Sequence, residues 1–297
     1  MDKRVKFDFE VDFSNGGGIQ GQDFRLDIVG EDISDEALAR YIVADLRLLM
    51  VYEVRILNKQ ILTEAHKRGT GEPASRRYVD LSHVIEDGLV TYKGLPPPII
   101  CDYLSREDSR SRYAEGTEFQ IGKLEMVSNT GTYIDCPFHR YADGHDLSEV
   151  TLEHFADLPG VLIRANFHNG LAVDVEAFRG KVSAGQAVLV HTGWAEHWNT
   201  PAYYENHPFL TEAAALYLVD QGVALVGIDS HNIDDTRTNT RPVHSTLLRH
   251  EILIAEHLCN LENVPQTGFT FSAVPPKFKG MGTFPVRAFA RLSTVTP

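Results

Sequence analysis

The first part of the chain alternates between apolar and charged residues with the period of a β-strand. From residue 5 to residue 13 every second side chain is apolar and the side chains between them are charged, and a turn of three glycines, Gly16 to Gly18, follows. Ser34 precedes two acidic residues as a favourable helix N-cap, and apolar residues then recur at helical spacing. Together with predicted strands at residues 22–28 and 53–57, these elements form a small α+β unit over residues 1–70.

A polar, basic stretch containing glycine and proline separates this unit from the rest of the chain. The sequence HKRGTGEPASRR ends at Arg77, and we predict a linker at residues 71–77 and a second domain over residues 78–297. In that domain, apolar runs of strand length alternate with helical segments, one of which spans residues 211–221 and stops at Gly222. The runs lie at residues 79–85, 161–167, 187–194, 224–230 and 252–258. The pattern predicts an α/β fold with a parallel or mixed sheet.

Composition and charge narrow the classes of partner. The chain has 41 acidic residues against 28 Lys plus Arg, a net charge of -13, so we expect no nucleic-acid partner. It has no apolar run of the roughly 18 residues that a membrane span needs, and its start lacks the apolar stretch of a signal peptide. We therefore expect a cytoplasmic protein without a membrane partner, with its three cysteines as reduced thiols.

The most informative stretch is Asn129-Thr-Gly-Thr-Tyr133-Ile-Asp135-Cys-Pro-Phe-His139-Arg140. Alternate side chains of an extended segment share a face, so Asn129, Tyr133, Asp135 and His139 are predicted to point the same way, with apolar residues on the other face. Pro137 cannot donate to a strand partner and indicates an edge or a bend. Four polar groups backed by apolar side chains predict a lined pocket.

This stretch resembles the hallmark His-x-Gly-Thr-His-x-Asp-x-Pro-x-His of the cyclase family, whose kynurenine formamidases and isatin hydrolases open an amide with a bound metal ion. The resemblance continues in order through Asp80-Leu-Ser-His83, His191-Thr-Gly-Trp194 and Gly227-Ile-Asp229-Ser230 with Asp234. It covers about three quarters of the chain, from residue 78 onward. The resemblance implies a mixed barrel-like β-sheet with surrounding helices, of the swivelling β/β/α type, and a homo-oligomer.

The resemblance also implies a metal site. The family's metal-binding His at a helix start and Glu at the end of the next strand match His244 and Glu256, which join Asp135 as implied ligands. Where the family has two further histidines, this chain has Asn129 and Tyr133, both poor zinc ligands compared with imidazole. The altered site therefore holds one divalent ion, zinc or manganese, or it works without metal.

The predicted function is hydrolysis of a cyclic amide, formamide or lactone of a small molecule. His139 moves the proton, Asn129 and Tyr133 donate hydrogen bonds to the substrate, and Arg140 and Trp194 are weaker substrate-binding candidates. One alternative is a metal-free lyase or cyclase that uses Tyr133, Asp135 and His139. Another is a catalytically inactive protein that binds a small ligand or assembles through residues 1–70.

Overall fold

Two compact units make up the structure, which is a computed structural model. It describes residues 3–28, 30–46, 48–63 and 78–293. Contacts along the chain separate residues 1–74 from residues 75–297. The predicted linker at residues 71–77 lies outside the described residues. Within the described ranges, no helix has the length and apolar character required to span a bilayer.

The N-terminal unit is a three-stranded antiparallel sheet in the order β2-β1-β3 with one helix against it. Its buried core joins the apolar face of β1, such as Val5 and Phe7, to Leu38 and Ile42 of the helix. The Ser34 side chain accepts a hydrogen bond from the Ala37 amide, as its position at the helix start predicts. The elements are β1 (Lys3–Phe13), β2 (Gly18–Ile28), α1 (Asp35–Asp45) and β3 (Val51–Thr63).

β2 and β3 are longer than the sequence pattern predicts, because β1 pairs with both of them over almost its whole length. Main-chain pairing extends the strands past the residues with clear alternation. The three predicted strands and the helix are all present in the unit.

The larger unit is built around a mixed sheet. Its strands are β4 (Tyr78–Asp80), β5 (Ile99–Leu104), β6 (Ile121–Glu125), β7 (Tyr133–Asp135), β8 (Leu158–Arg164), β9 (Ala172–Val173), β10 (Ala187–His191), β11 (Phe209–Leu210), β12 (Leu225–Ile228), β13 (Leu253–Glu256), β14 (Phe269–Ser272), β15 (Thr283–Pro285) and β16 (Phe289–Leu292). Its helices are α2 (Arg106–Arg110), α3 (Glu212–Asp220) and α4 (Pro242–Arg249).

Among the described residues, nine of these strands form one sheet in the order β15-β7-β13-β12-β10-β8-β14-β16-β4. The four central strands are parallel, and the strands on both flanks are antiparallel to their neighbours. The sheet curls into a half-barrel. The predicted mixed, barrel-like sheet is thereby confirmed.

Each face of the sheet buries its own apolar cluster, because successive side chains of a strand point to opposite faces. In β10, for example, Leu189 belongs to the cluster on one face, whereas Val188 and Val190 belong to the cluster shared with α3 and α4. Strands buried on both faces explain why the central runs are apolar without alternation.

The predicted strand at residues 79–85 ends early, at Asp80. Beyond it the Ser82 hydroxyl donates to the Val286 carbonyl and accepts from the Ala288 amide, so a side chain replaces regular strand pairing. Three of the other predicted runs contain β10, β12 and β13, and the run at residues 161–167 overlaps β8, which begins at Leu158. α3 occupies the predicted helix with Thr211 as its cap.

Candidate active site

A cavity of about 310 Å³ opens in the larger unit where β7, β13 and α4 meet. It gathers residues that are far apart in sequence. Its lining residues are Tyr92, Leu95, Asn129, Tyr133, His139, Arg140, Asn232, Arg241, His244 and Glu256. All of the predicted site residues line it except Asp135, which is fully buried beside His139 and His244, and Trp194.

β7 positions two of the polar side chains by its pairing on both sides. Tyr133 lies opposite Glu256 of β13, and the Tyr133 hydroxyl donates to Glu256 Oε2 at 2.6 Å. Asp135 lies opposite Thr283 of β15, whose hydroxyl donates to Asp135 Oδ1. Residues two apart on one strand share a face, so both side chains point toward the same region.

A 3₁₀ turn at Pro137–His139 brings His139 back to β7. A straight strand would carry this residue roughly 13 Å beyond Asp135. Instead, His139 Nδ1 lies 3.6 Å from Asp135 Oδ1 and 2.8 Å from the Thr283 hydroxyl. The bend that Pro137 indicates is therefore large enough to make His139 and Asp135 neighbours.

His244 is held by a carboxylate behind it. Asp234 accepts hydrogen bonds from the backbone amides of Val243 and His244, at 2.7 and 3.0 Å, and from His244 Nδ1 at 2.6 Å. The bond to Nδ1 leaves Nε2 facing the cavity, 3.6 Å from Asp135 Oδ2 and 3.7 Å from Glu256 Oε1. A carboxylate that orients an imidazole in this way is the usual second support of a metal-binding histidine.

The buried carboxylates make this spot favourable for positive charge. Burial alone lowers the pKa of His244, but the charge of Glu256, followed by Asp135 and Asp234, outweighs it and raises the pKa to about 10. Burial raises the pKa of Glu256 to about 7, against the opposing effect of the His244 charge. A cation that replaces the His244 proton would meet the same carboxylates.

The residues present fit a divalent ion. Ligand atoms of Asp135, His139 and His244 all lie within 4.8 Å of one another, and Asp135 Oδ2 is buried without a hydrogen-bond partner. A carboxylate and two imidazoles are ligands that suit zinc or manganese. Glu256 lies next to this group, because its Oε1 is 3.7 Å from His244 Nε2. The geometry thus brings together the three ligands implied by the sequence and adds His139 to them.

Asn129 and Tyr133 take different positions in this arrangement. Burial, followed by the charge of Glu256, raises the pKa of Tyr133 well above its ordinary value, so the phenol stays protonated and acts as a donor. Asn129 lines the cavity and accepts from the Ser128 hydroxyl through Oδ1. Its amide nitrogen has no hydrogen-bond partner among the described residues.

Trp194 is not brought to the cavity. It is 6% exposed, and its indole nitrogen donates to the Tyr203 carbonyl at 3.1 Å. The structure thus gives Trp194 a packing role, and it offers no support for the predicted contact with substrate.

Several residues that the sequence analysis did not assign to the site contribute to it. Their side chains line the cavity or hold its ligands, and they are Tyr92, Thr283, Asn232, Arg241 and Asp234. Asp234 was visible as part of a motif, but nothing in its spacing indicated a bond to His244. Thr283 lies 148 residues from Asp135 and carries no local signal.

Comparison with known proteins agrees with the fold. The family model described as "Putative cyclase" matches residues 79–235. A kynurenine formamidase of Bacillus cereus is 26% identical over 214 residues, 72% of this chain and 97% of the relative.

Solved structures resemble the larger part of the chain as well. Isatin hydrolase A from Labrenzia aggregata, bound to benzyl benzoate, superposes with a TM-score of 0.64 at 20% identity, over 75% of this chain and 96% of its own. A protein described as a potential metal-dependent hydrolase with cyclase activity gives a TM-score of 0.61 at 23% identity, over 75% and 100%. At these identities the structures support the fold.

Proposed function

Because the chain belongs to the cyclase family, we propose that it is a metal-dependent hydrolase that opens a cyclic amide, formamide or lactone of a small molecule. The observation that carries the proposal is the convergence of Asp135, His139 and His244 around a buried carboxylate oxygen without a partner. The relatives named kynurenine formamidase and isatin hydrolase support hydrolysis as the reaction type.

Asp135 and His244, with Glu256 or His139, would hold one divalent ion. Such an ion polarises a carbonyl group and lowers the pKa of water toward neutrality. The fit of these residues rests on their donor atoms and burial, described above.

His139 transfers the proton in this proposal. Its side chain is 34% exposed, so the ring can contact both the substrate and water. Thr283 lies 2.8 Å from Nδ1 and fixes the orientation of the ring, which leaves Nε2 free to accept a proton and return it to the leaving group.

Polar groups on the cavity wall would bind the substrate oxygen. The free amide N–H groups of Asn129 can donate to a carbonyl oxygen on which negative charge develops. Asn232 is held in place by its bond to the Tyr92 hydroxyl, which in turn contacts the His231 carbonyl at 3.2 Å. These side chains are fixed before substrate enters, which favours a well-defined orientation of the ligand.

The test uses full-length protein purified without chelator. We expect about one zinc or manganese ion per chain by elemental analysis, and hydrolysis of at least one of formanilide, isatin and dihydrocoumarin. Chelator should remove both the ion and the activity, and Asp135→Asn should do the same. Asp220→Asn, an exposed helix residue away from the cavity, serves as the matched control.

Three results would argue against the proposal. Activity that survives complete removal of metal would favour the lyase or cyclase alternative. Absence of turnover on the whole panel by metal-loaded protein would favour a binding protein. Two tightly held ions per chain would show that Asn129 or Tyr133 is a competent ligand.

A further inference from the structure

Two arginines on the wall of the cavity have no carboxylate partner among the described residues. Arg140 and Arg241 both line the space that also holds His139, His244 and Glu256. Several arginines elsewhere in the described chain, such as Arg55 and Arg287, pair with acidic side chains. In a protein with 41 acidic residues, two unpaired guanidinium groups facing one cavity call for a ligand-based explanation.

Ser245, in the first turns of α4, ties the two arginines together. Arg140 Nε donates to the Ser245 hydroxyl at 3.1 Å, and that hydroxyl donates to the Arg241 carbonyl at 2.8 Å. Arg241 Nη1 donates to the carbonyls of Thr238 and Thr240. Each guanidinium is therefore anchored at one side, and Arg140 Nη1 and Nη2 and Arg241 Nη2 remain without partners in the described structure.

The first backbone amides of α4 are not available to bind an anion beside the two arginines. Asp234 already accepts from the amides of Val243 and His244. Positive charge on this wall thus comes from side chains whose planar, forked donors match a carboxylate.

The carboxylates of Asp135 and Glu256 are fully buried around His244, and a divalent ion held there would offset their charge. The guanidinium groups of Arg140 and Arg241 line the cavity without an acidic partner in the described part of the chain, so they stay available to a ligand in the metal-loaded protein. An anionic group of the ligand is therefore attracted to the arginines, which leaves the ion for the bond that is opened.

We propose that Arg140 and Arg241 form a carboxylate-binding subsite, and that the substrate of this enzyme carries a carboxylate at the end opposite to the bond that is opened. The second half of this inference, which concerns the substrate, rests on the hydrolase function proposed above. The subsite itself is independent of turnover. The cavity of about 310 Å³ is at the small end for ligand sites, which suits a compact aromatic or short-chain acid.

Benzoate is the probe for the subsite, with benzamide as its neutral counterpart. By calorimetric titration of full-length, metal-loaded protein, we expect benzoate to bind and benzamide to bind at least about 10-fold more weakly. Arg140→Gln and Arg241→Gln should each weaken benzoate binding by about 10- to 100-fold, since a hydrogen bond to a charged group contributes that much. Arg179→Gln, an exposed arginine paired with Glu176 away from the cavity, should leave binding unchanged.

Lysine variants cover the case in which a glutamine variant fails to fold. Arg140→Lys and Arg241→Lys keep the charge but lose the fork, and they should bind benzoate with intermediate affinity. Benzoate binding that is absent, or that is unchanged in all four variants, would overturn the subsite. So would tighter binding of inorganic phosphate than of benzoate.

Kinetics test the substrate half of the inference. Once hydrolysis of a formamide is established, kcat/KM for 4-formamidobenzoate, whose carboxylate lies across the ring from the formamide, should exceed that for formanilide by about 10-fold or more, and Arg241→Gln should abolish the difference. A preference that survives the substitution would overturn the inference while leaving the hydrolase intact. Failure of all hydrolysis with benzoate binding retained would overturn the proposed function and keep the subsite.

Discussion

At the scale of single residues, His139 is both close to the buried ligand atoms and exposed to the cavity. It lies within ligand distance of Asp135 and His244, and it is also the most exposed member of that group. The enclosed side chains of Asp135 and His244 are suited to holding an ion, and the exposed ring of His139 is suited to exchanging a proton with substrate. Substitution of His139 can distinguish a role as metal ligand from a role in proton transfer.

We expect His139→Ala to keep its fold and its metal while turnover falls on the order of 10² to 10⁴, because Asp135, His244 and Glu256 remain to hold the ion. Elemental analysis and steady-state kinetics measure the two quantities. His154→Ala, an exposed histidine beside a different cavity, is the control. Metal lost together with activity would instead make His139 a ligand, and full activity would remove it from the mechanism.

A second residue-scale prediction concerns the pH dependence of metal uptake. In the metal-free protein the pKa of His244 is raised to about 10, so an incoming ion must displace a proton at any pH below that value. Apparent affinity should therefore rise about tenfold per pH unit between pH 7 and 9, because one proton is released. Below about pH 7 the slope should steepen, because Glu256 with its raised pKa is then protonated too.

Zinc titrations at pH 6, 7, 8 and 9, with proton release followed in weakly buffered solution, measure this dependence. In His244→Ala, most of the affinity should be lost, and the pH dependence that remains should come from Glu256, whose pKa no longer has the His244 charge to lower it. An affinity in the unaltered protein that is independent of pH over that range would show that His244 is already neutral and contradict the electrostatic description.

At the scale of elements, the turn after β7 depends on the absence of one side chain. A Cβ added to Gly282 would lie 2.2 Å from the backbone nitrogen of His139, and the Cys136 amide donates to the Gly282 carbonyl at 2.8 Å. The loop before β15 therefore packs directly on the turn that presents His139. Only a residue without a side chain permits this approach of two backbones.

We expect Gly282→Ala to lower stability by about 1 to 3 kcal/mol, because the clash is with backbone atoms that cannot rotate away. Because the turn must shift, we also expect reduced turnover. Thermal unfolding and kinetics provide the measurements. Gly122→Ala in β6, where the added carbon meets no atom closer than 3.5 Å, should change neither by much. Comparable effects in both variants would mean that the close approach at Gly282 is not what positions the turn.

The elements themselves were largely predictable, and the site only in part. Apolar runs and caps are local signals, so β10, β12, β13 and α3 follow from the sequence. Asp135 and Glu256 both lie close to His244 in the structure, and their role as metal ligands stays a prediction. Thr283, Asp234 and Arg241 enter through side-chain contacts between segments that fold together, which no periodicity records.

At the scale of the whole molecule, the two units have separate cores. The cluster around Phe7 and Leu38 shares no residue with the two clusters of the larger unit, and the described site residues all belong to the larger unit. Assembly through residues 1–70, one of the alternatives that the sequence leaves open, stays a prediction.

Deletion of residues 1–74 should leave a folded protein that binds metal with unchanged affinity, because the larger unit contains both of its own cores and the site. Circular dichroism, thermal unfolding and zinc titration of the truncated chain measure this. An insoluble or unfolded product would make the N-terminal unit part of an obligatory interface.

The pairing of β7 between β13 and β15 has a consequence for how the protein is made. Asp135 is synthesised early, His244 and Glu256 follow more than 100 residues later, and Thr283 comes later still. On the ribosome, the nascent chain displays the Asp135 carboxylate for several seconds before His244 and Glu256 emerge, given synthesis at about 5–20 residues per second. In the proposed function, metal capture is therefore a late event in biogenesis, because it follows closure of the sheet by the strands that are made last.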